Sequence, residues 1–156
     1  MENESTTDPN IVRFLLTHWT PTKNKAVWDA ACGGGELARQ LKRAGYAVVA
    51  SDIADFSYGD SRVDFLKTKT RAGDILIVDP PASLAADFVW HALRLGITEM
   101  AVVMPRSLWT PRHKIFNRSR PALVMPFSEN AMWVVWKPGS GDTKIIPLPG
   151  LVSNEK

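Results

Sequence analysis

The sequence predicts a three-layer α/β fold built on an open, mostly parallel sheet that ends in an antiparallel strand. Three observations carry this. Strand-like and helix-like segments alternate along most of the chain. The stretch "VWDAACGGGELARQLKRAGYAVVASDI", residues 27 to 53, reads as strand, glycine turn, helix and second strand. The run "DILIVD", residues 74 to 79, is apolar throughout, as a central strand covered on both faces must be.

Each element has its own signal. "DPNIVRFLLTHW" opens with Asp8 as a helix cap and Pro9 at the first helical position, and Ile11, Val12, Leu15 and Leu16 make an apolar stripe. "TPTKNK" is a basic loop and "AVWDA" a short buried strand. "GELARQLKRAG" is a helix with Leu37, Ala38, Leu41 and Ala44 on one face, closed by Gly45. "YAVVASDI" is the next strand, "ADFSYGDS" a loop too short for a crossover helix, and "RVDFL" an edge strand. After "DILIVD", Ser83 is the candidate cap of a helix whose inner face carries Phe88, Val89, Ala92 and Leu95, and which Gly96 ends. "EMAVVMP" is a strand, and Thr110 and Pro111 start a short helix at "TPRHKIF". "PALVMPF" and "AMWVVWKP" are two strands joined by "SEN", a connection that makes them antiparallel, and "TKIIPL" adds an edge pairing.

The 156 residues, 45% of them hydrophobic, suit one domain, residues 1–150, with residues 151–156 as a flexible tail. A net charge of +3 and a pI near 9.2 permit a polyanionic partner without requiring one. One cysteine excludes an internal disulfide framework. The polar, acidic N-terminus is no signal peptide and no apolar run approaches a membrane span, so a cytoplasmic protein without membrane contact is expected. His18, His91 and His113 are scattered, so no metal site is expected. Trp28, Trp90, Trp133 and Trp136 fall in regular elements and read as core.

Gly33, Gly34 and Gly35 stand where the backbone turns into a helix and a ligand can approach closely. "GGGELA" is also a loose dinucleotide fingerprint. Against that reading, Asp29 at the strand tip would repel a pyrophosphate and suits a ligand with an ammonium group, and Glu36 occupies the first helical turn. The pattern Asp29-x-x-x-Gly33-x-Gly35, with Asp52 ending the next strand, resembles the class I S-adenosylmethionine (SAM) dependent methyltransferases. The resemblance implies a compact version of their Rossmann-like fold, with SAM as cofactor at the carboxyl ends of the first strands. It implies that Asp29, Gly33 and Gly35, flanked by Ala31 and Cys32, hold the methionine part, and that Asp52, beside Ile53, grips the ribose hydroxyls. Asp64 and Phe65 resemble the adenine contacts, and "TTDPN" the segment that closes over SAM, with Thr7 in it.

"DILIVDPPAS" places Asp79-Pro80-Pro81 at the end of the central strand, and resembles the Asp/Asn-Pro-Pro-Tyr/Phe motif of methyltransferases that modify an exocyclic amine. A carboxylate and the Pro80 carbonyl can each accept an N–H, localise the lone pair and aim it at the sulfonium methyl. The segments that follow resemble small bacterial and phage adenine-type enzymes, so the similarity covers nearly the whole chain. The fourth motif position departs from the family: it is Ala82, where an aromatic would stack on a flipped base. Either another ring, Phe56, Tyr58, Trp109 or Phe127, takes over, or the substrate is not a base, or catalysis is lost. "PRSLWTPRHKIFNRSR" supplies Arg106, Trp109 and Arg112 as candidate substrate contacts, or is a solvated helix face.

The expectation is therefore a SAM-dependent methyltransferase acting on an exocyclic amine, with adenine N6 of DNA first and RNA beside it. The alternatives are a non-catalytic SAM-binding protein and a small-molecule or protein amine methyltransferase. An uncovered edge beyond "SDIADFSYGD" leaves room for a homodimer.

Overall fold

The structure, a computed structural model, describes residues 7–110, 113–139 and 141–147. The expected tail, like Pro111 and Arg112, lies outside the described residues. The elements are α1 (Pro9–His18), β1 (Val27–Asp29), α2 (Glu36–Arg43), β2 (Val48–Ala50), β3 (Ile75–Val78), α3 (Ala85–Arg94), β4 (Glu99–Pro105), α4 (Lys114–Arg118), β5 (Leu123–Pro126), β6 (Ala131–Trp136) and β7 (Lys144–Ile145). Short 3₁₀ turns occupy Phe65–Lys67, Ala82–Leu84 and Arg106–Leu108.

The seven strands are ordered β2-β1-β3-β4-β6-β5-β7. β1 pairs in parallel with β2 and β3, and β3 with β4. β6 is antiparallel to both β4 and β5, and the two-residue β7 runs parallel to β5 at the edge. The carboxyl ends of β1 to β4 therefore share one edge of the sheet, where the chain changes direction on either side of β1. α1 and α2 cover one face, with Val12, Leu15, Leu37 and Leu41 packed on Ile75, Ile77, Ala101 and Trp133. α3 and α4 cover the other, with Phe88, Val89, Ile115 and Phe116 packed on Leu76, Val78, Val102 and Trp136. β3 is fully buried along its length, as an apolar strand between two helical layers must be.

Several helix boundaries follow from the residues. The Asp8 side chain accepts from the Asn10 amide at 2.8 Å and starts α1 at Pro9. Gly45 (φ 97°) and Gly96 (φ 79°) take the left-handed conformation past α2 and α3. α1 also buries Phe14, and Ala44 is exposed rather than on the buried face of α2.

Other expectations are corrected. Ser83 caps nothing: the 3₁₀ turn leads into α3, and its backbone bond from the Leu84 amide to the Pro81 carbonyl (2.9 Å) takes the place of a side-chain cap. α4 starts at Lys114, where the Ile115 amide donates to His113 Nδ1 at 3.3 Å. "RVDFL" is not a strand. Arg62 has φ 60°, which breaks an extended run, and the Asp64 carboxylate accepts from the Leu66 amide at 3.1 Å, which winds the 3₁₀ turn instead. Only a bridge between Ser51 and Asp60 remains on that side of β2.

The basic loop before β1 lies at the opposite edge of the sheet. There the Thr22 amide and hydroxyl both donate to buried Glu99, at 2.7 and 2.8 Å, at the start of β4. No helix among the described residues is long and apolar enough to cross a membrane.

Phe65 anchors the segment that replaces the missing strand. It is buried, stacks on Phe88 (4.7 Å between centroids) and meets Trp28 and His91 edge-on at 5.0 and 5.1 Å. Phe65→Ala is expected to cost about 3–5 kcal/mol in chemical denaturation. A loss below 1 kcal/mol would mean that this ring does not hold the segment.

Candidate active site

A cavity of about 490 Å³ opens at the carboxyl edge of β1, β2 and β3, within the usual range for a small-molecule site. The turn Ala31–Gly34 forms one wall, and Asp52, Ile53 and Phe56 form the next. Val63, Asp64 and Phe65 make the third, and Asp79 and Pro81 lie at the end of β3 with Thr7. The expected residues Thr7, Ala31, Cys32, Gly33, Asp52, Ile53, Asp64, Phe65, Asp79 and Pro81 thus meet in one cavity.

Three bonds tie its parts together. The Gly33 amide donates to Asp52 Oδ2 at 2.9 Å, joining the loop after β1 to the loop after β2. The Ala54 amide donates to Asp52 Oδ1 at 3.0 Å and fixes the carboxylate plane. Thr7 Oγ1 donates to Asp79 Oδ2 at 3.2 Å and brings the segment before α1 onto the end of β3. A Cβ built on Gly33 or Gly34 would meet nothing within 4 Å, so the turn presents bare backbone to open space. Gly33 also needs its glycine for φ 49°.

Other expected residues stand elsewhere. Asp29 is sealed beneath the turn, 1% exposed. Among the described residues, its Oδ1 receives only a long bond from the Ala31 amide (3.4 Å), and its Oδ2 has no partner. Gly35 (φ 95°) faces the Tyr58 ring, which a Cβ would approach to 2.6 Å, so that glycine makes room for a side chain of the protein. The Arg39 guanidinium lies over the Tyr58 ring at 4.7 Å, and Lys42 Nζ donates to its hydroxyl at 3.2 Å, which clamps the β2 loop onto α2. Pro80 is buried behind the wall, and Ala82 is exposed in the turn beyond it. Arg106 and Trp109 follow β4 at the same sheet edge but off the cavity. The Arg106 guanidinium donates to the Ser128 carbonyl (3.0 Å), and Trp109 packs edge-on against Phe116 (4.8 Å). Of the four rings considered for stacking, only Phe56 lines the cavity; Phe127 packs against Trp133. Leu84, which the sequence reading did not single out, and Phe88, which it assigned to the core, complete an apolar wall. Their spacing of four, from the end of the 3₁₀ turn into α3, is the signal, and nothing in the pattern separates a cavity wall from a packed one.

The electrostatics are one-sided. Glu36, Asp52, Asp64 and Asp79 line the cavity, and among the described residues no lysine, arginine or histidine does. Burial, opposed by the Ala31 amide and reinforced by the charges of Asp79 and Asp52, pushes the Asp29 carboxyl up to about 8. Burial also raises Asp79, against the bond from Thr7. The Cys32 thiol is pushed up to about 12 by burial and by Asp29 and Asp52, so it is no nucleophile. Such a cavity favours a cationic ligand and disfavours a pyrophosphate. A sulfonium with an amino group, a ribose and a base fits the donors and acceptors present: bare turn backbone, the bonded Asp52 at the rim, and Asp64 beside an aromatic ring.

No family model matches the chain, and no curated protein matches it in sequence. Solved structures do share its fold. The ribosomal protein L11 methylase of Lactobacillus delbrueckii superposes with a TM-score of 0.63 at 16% identity, over 88% of this chain and 80% of that one. The fold is that of the SAM-dependent methyltransferases. A TehB-like SAM-dependent methyltransferase of Corynebacterium glutamicum gives 0.58 at 13% identity, over 84% and 89%. A predicted N6-adenine-specific DNA methylase of Listeria monocytogenes gives 0.63 at 9% identity; 88% of this chain covers 53% of that one.

The burial of Asp29 has a pH signature. Its folded value of about 8 lies above the ordinary 3.8, so the folded state holds a proton that the unfolded chain has lost. The stability this gives is complete below pH ~4 and disappears as pH rises towards ~8, by about 1.4 kcal/mol per pH unit at most. Denaturation midpoints should fall across that window, and Asp29→Asn should flatten the fall. A parent curve already flat there would contradict the burial of an unpartnered carboxyl.

Proposed function

We propose that this chain is a SAM-dependent methyltransferase that acts on an exocyclic amine, with adenine N6 of DNA as its first substrate. The observation that carries the reading is a cavity lined by carboxylates, and by no cation among the described residues, that opens against Asp79 and Pro81. SAM, when bound, supplies an electrophilic methyl on a positively charged sulfur.

The chain's own residues do the rest. Gly33 and Gly34 leave space for the methionine part beside their backbone. Asp52 is held by two amides, and each of its oxygens keeps a lone pair for a ribose hydroxyl. Asp64 uses one oxygen on the Leu66 amide and keeps the other for an exocyclic amine. At Asp79, Thr7 takes Oδ2 and leaves Oδ1 to accept a substrate N–H, which directs the nitrogen lone pair along the line of transfer. The neighbouring folds support this reading, since one such protein is described as an N6-adenine-specific DNA methylase.

Ala82 favours a second reading, a SAM-binding protein without turnover, because its methyl is exposed where a stacking ring would stand. One experiment separates the two. Purified protein is incubated with methyl-labelled SAM and with DNA or RNA, and the nucleosides are analysed. Label in N6-methyladenine is expected, lowered about 100-fold or more by Asp79→Ala. Asp79→Asn keeps a carbonyl acceptor and should retain activity. The parent's rate should rise with pH beyond the ordinary carboxylate range, because burial raises Asp79, and the Asn variant should lose that dependence. No transfer to any nucleic acid would contradict the first reading.

A further inference from the structure

α3 and α4 face each other across a groove outside the cavity. On α3, Asp87, Trp90 and Arg94 follow one another at helical spacing along the outer side, over about 10 Å. On α4, Lys114 and Arg118 stand four residues apart and face them. Two clefts of about 370 and 540 Å³ lie between the helices, and both are lined by Asp87, Trp90 and Arg118. Trp90 was read from the sequence as core, beside Trp28, Trp133 and Trp136. Those three are buried at 1%, 0% and 3% exposure, but Trp90 is only half-buried. Its ring is covered on the groove side by the Arg118 guanidinium, 5.8 Å from the centroid.

The charges of the groove are unbalanced. Arg94, Lys114 and Arg118 are exposed and form no ion pair among the described residues, whereas Arg39, Arg71 and Arg120 are paired with Glu36, Asp74 and Asp142. Asp87 is the one acid lining the clefts among the described residues. A solvated helix face does not require an accessible indole between unpaired cations. The groove also begins beside the cavity: Leu66 lines both, and Ala86 of the second cleft lies two residues past Leu84 of the cavity wall.

We propose that this groove binds single-stranded nucleic acid. One base stacks on Trp90, in place of or beneath the Arg118 guanidinium. The flanking phosphates meet Arg94 at one end and Lys114 at the other, and Asp87 accepts from an exocyclic amine of the base. A duplex offers phosphates but no free base face, so single strands are preferred. His91 does not contact the strand: its Nε2 lies 2.8 Å from the Thr68 carbonyl, and it serves as wall. In the proposed reaction the groove would hold the strand beside the target base. Its test involves no cofactor and no methyl transfer, so it can fail while that reaction stands, and the reverse.

The test is fluorescence anisotropy with a short labelled oligodeoxycytidylate, an oligocytidylate and a duplex of matching length, at several salt concentrations. Both single strands should bind the full chain without SAM, and the duplex several-fold more weakly. Trp90→Leu should weaken single-strand binding about tenfold. Lys114→Ala should reduce the slope of log affinity against log salt by about 0.7, the value of one lost phosphate contact. Arg118→Gln, an exposed position with no partner among the described residues but the indole, should weaken binding and leave the circular dichroism spectrum unchanged. Equal affinity for duplex and single strand, or parent-like binding by both Trp90→Leu and Arg118→Gln, would overturn the proposal.

Discussion

The parallel alignment of β2, β1 and β3 is the constraint on which the rest of the molecule depends. It sets Asp29 against Ala50 at one sheet edge and ends β3 there as well, so three loops leave the sheet side by side. A parallel pair needs a crossover, and here the crossovers are α2, which links β1 to β2, and the segment that carries Phe65, which links β2 to β3. The bond from Gly33 to Asp52 exists only because these strand ends are neighbours. The cavity is therefore a consequence of topology, and the residues that line it are those that leave the ends of the strands.

The electrostatics of that edge oppose the fold. Carboxylates crowd a partly closed space, and Asp29 lies beneath them with one oxygen unpartnered among the described residues. A buried polar group without a partner costs stability, and such groups are uncommon unless they serve something. A positively charged ligand in the cavity would offset the crowding and lower the protonation of the acids around it. The same field argues against a dinucleotide, whose phosphates would meet four acids and, among the described residues, no cation. Charge thus decides between two cofactors that a glycine turn alone would allow.

Much of this was legible in the residues. Asp8-Pro9, Gly45 and Gly96 punctuate helices by chemistry local to each, and the apolar run before Asp79 could only be a central strand. The acids at strand ends, Asp52 and Asp79, could be placed because a strand of known direction delivers its last residue to a known edge. What escaped depends on contacts between distant segments. Gly35 appeared to serve a ligand, but its partner is Tyr58 from the next loop. The expected strand at "RVDFL" gave way to a turn because one side-chain bond, from the Leu66 amide to Asp64, outweighed β propensity at an edge. Trp90 fits the periodicity of a helix as core, yet it sits at the margin of the face that α3 buries. Nor does a pattern show that Asp29 is sealed while Asp79 is reachable.

The central claim is that the acidic cavity is a SAM site, and calorimetric titration tests it most directly. SAM and S-adenosylhomocysteine should each bind near micromolar affinity, on the order of 8 kcal/mol, and NAD should not bind. Heat from NAD alone, or from none of the three, would contradict the account.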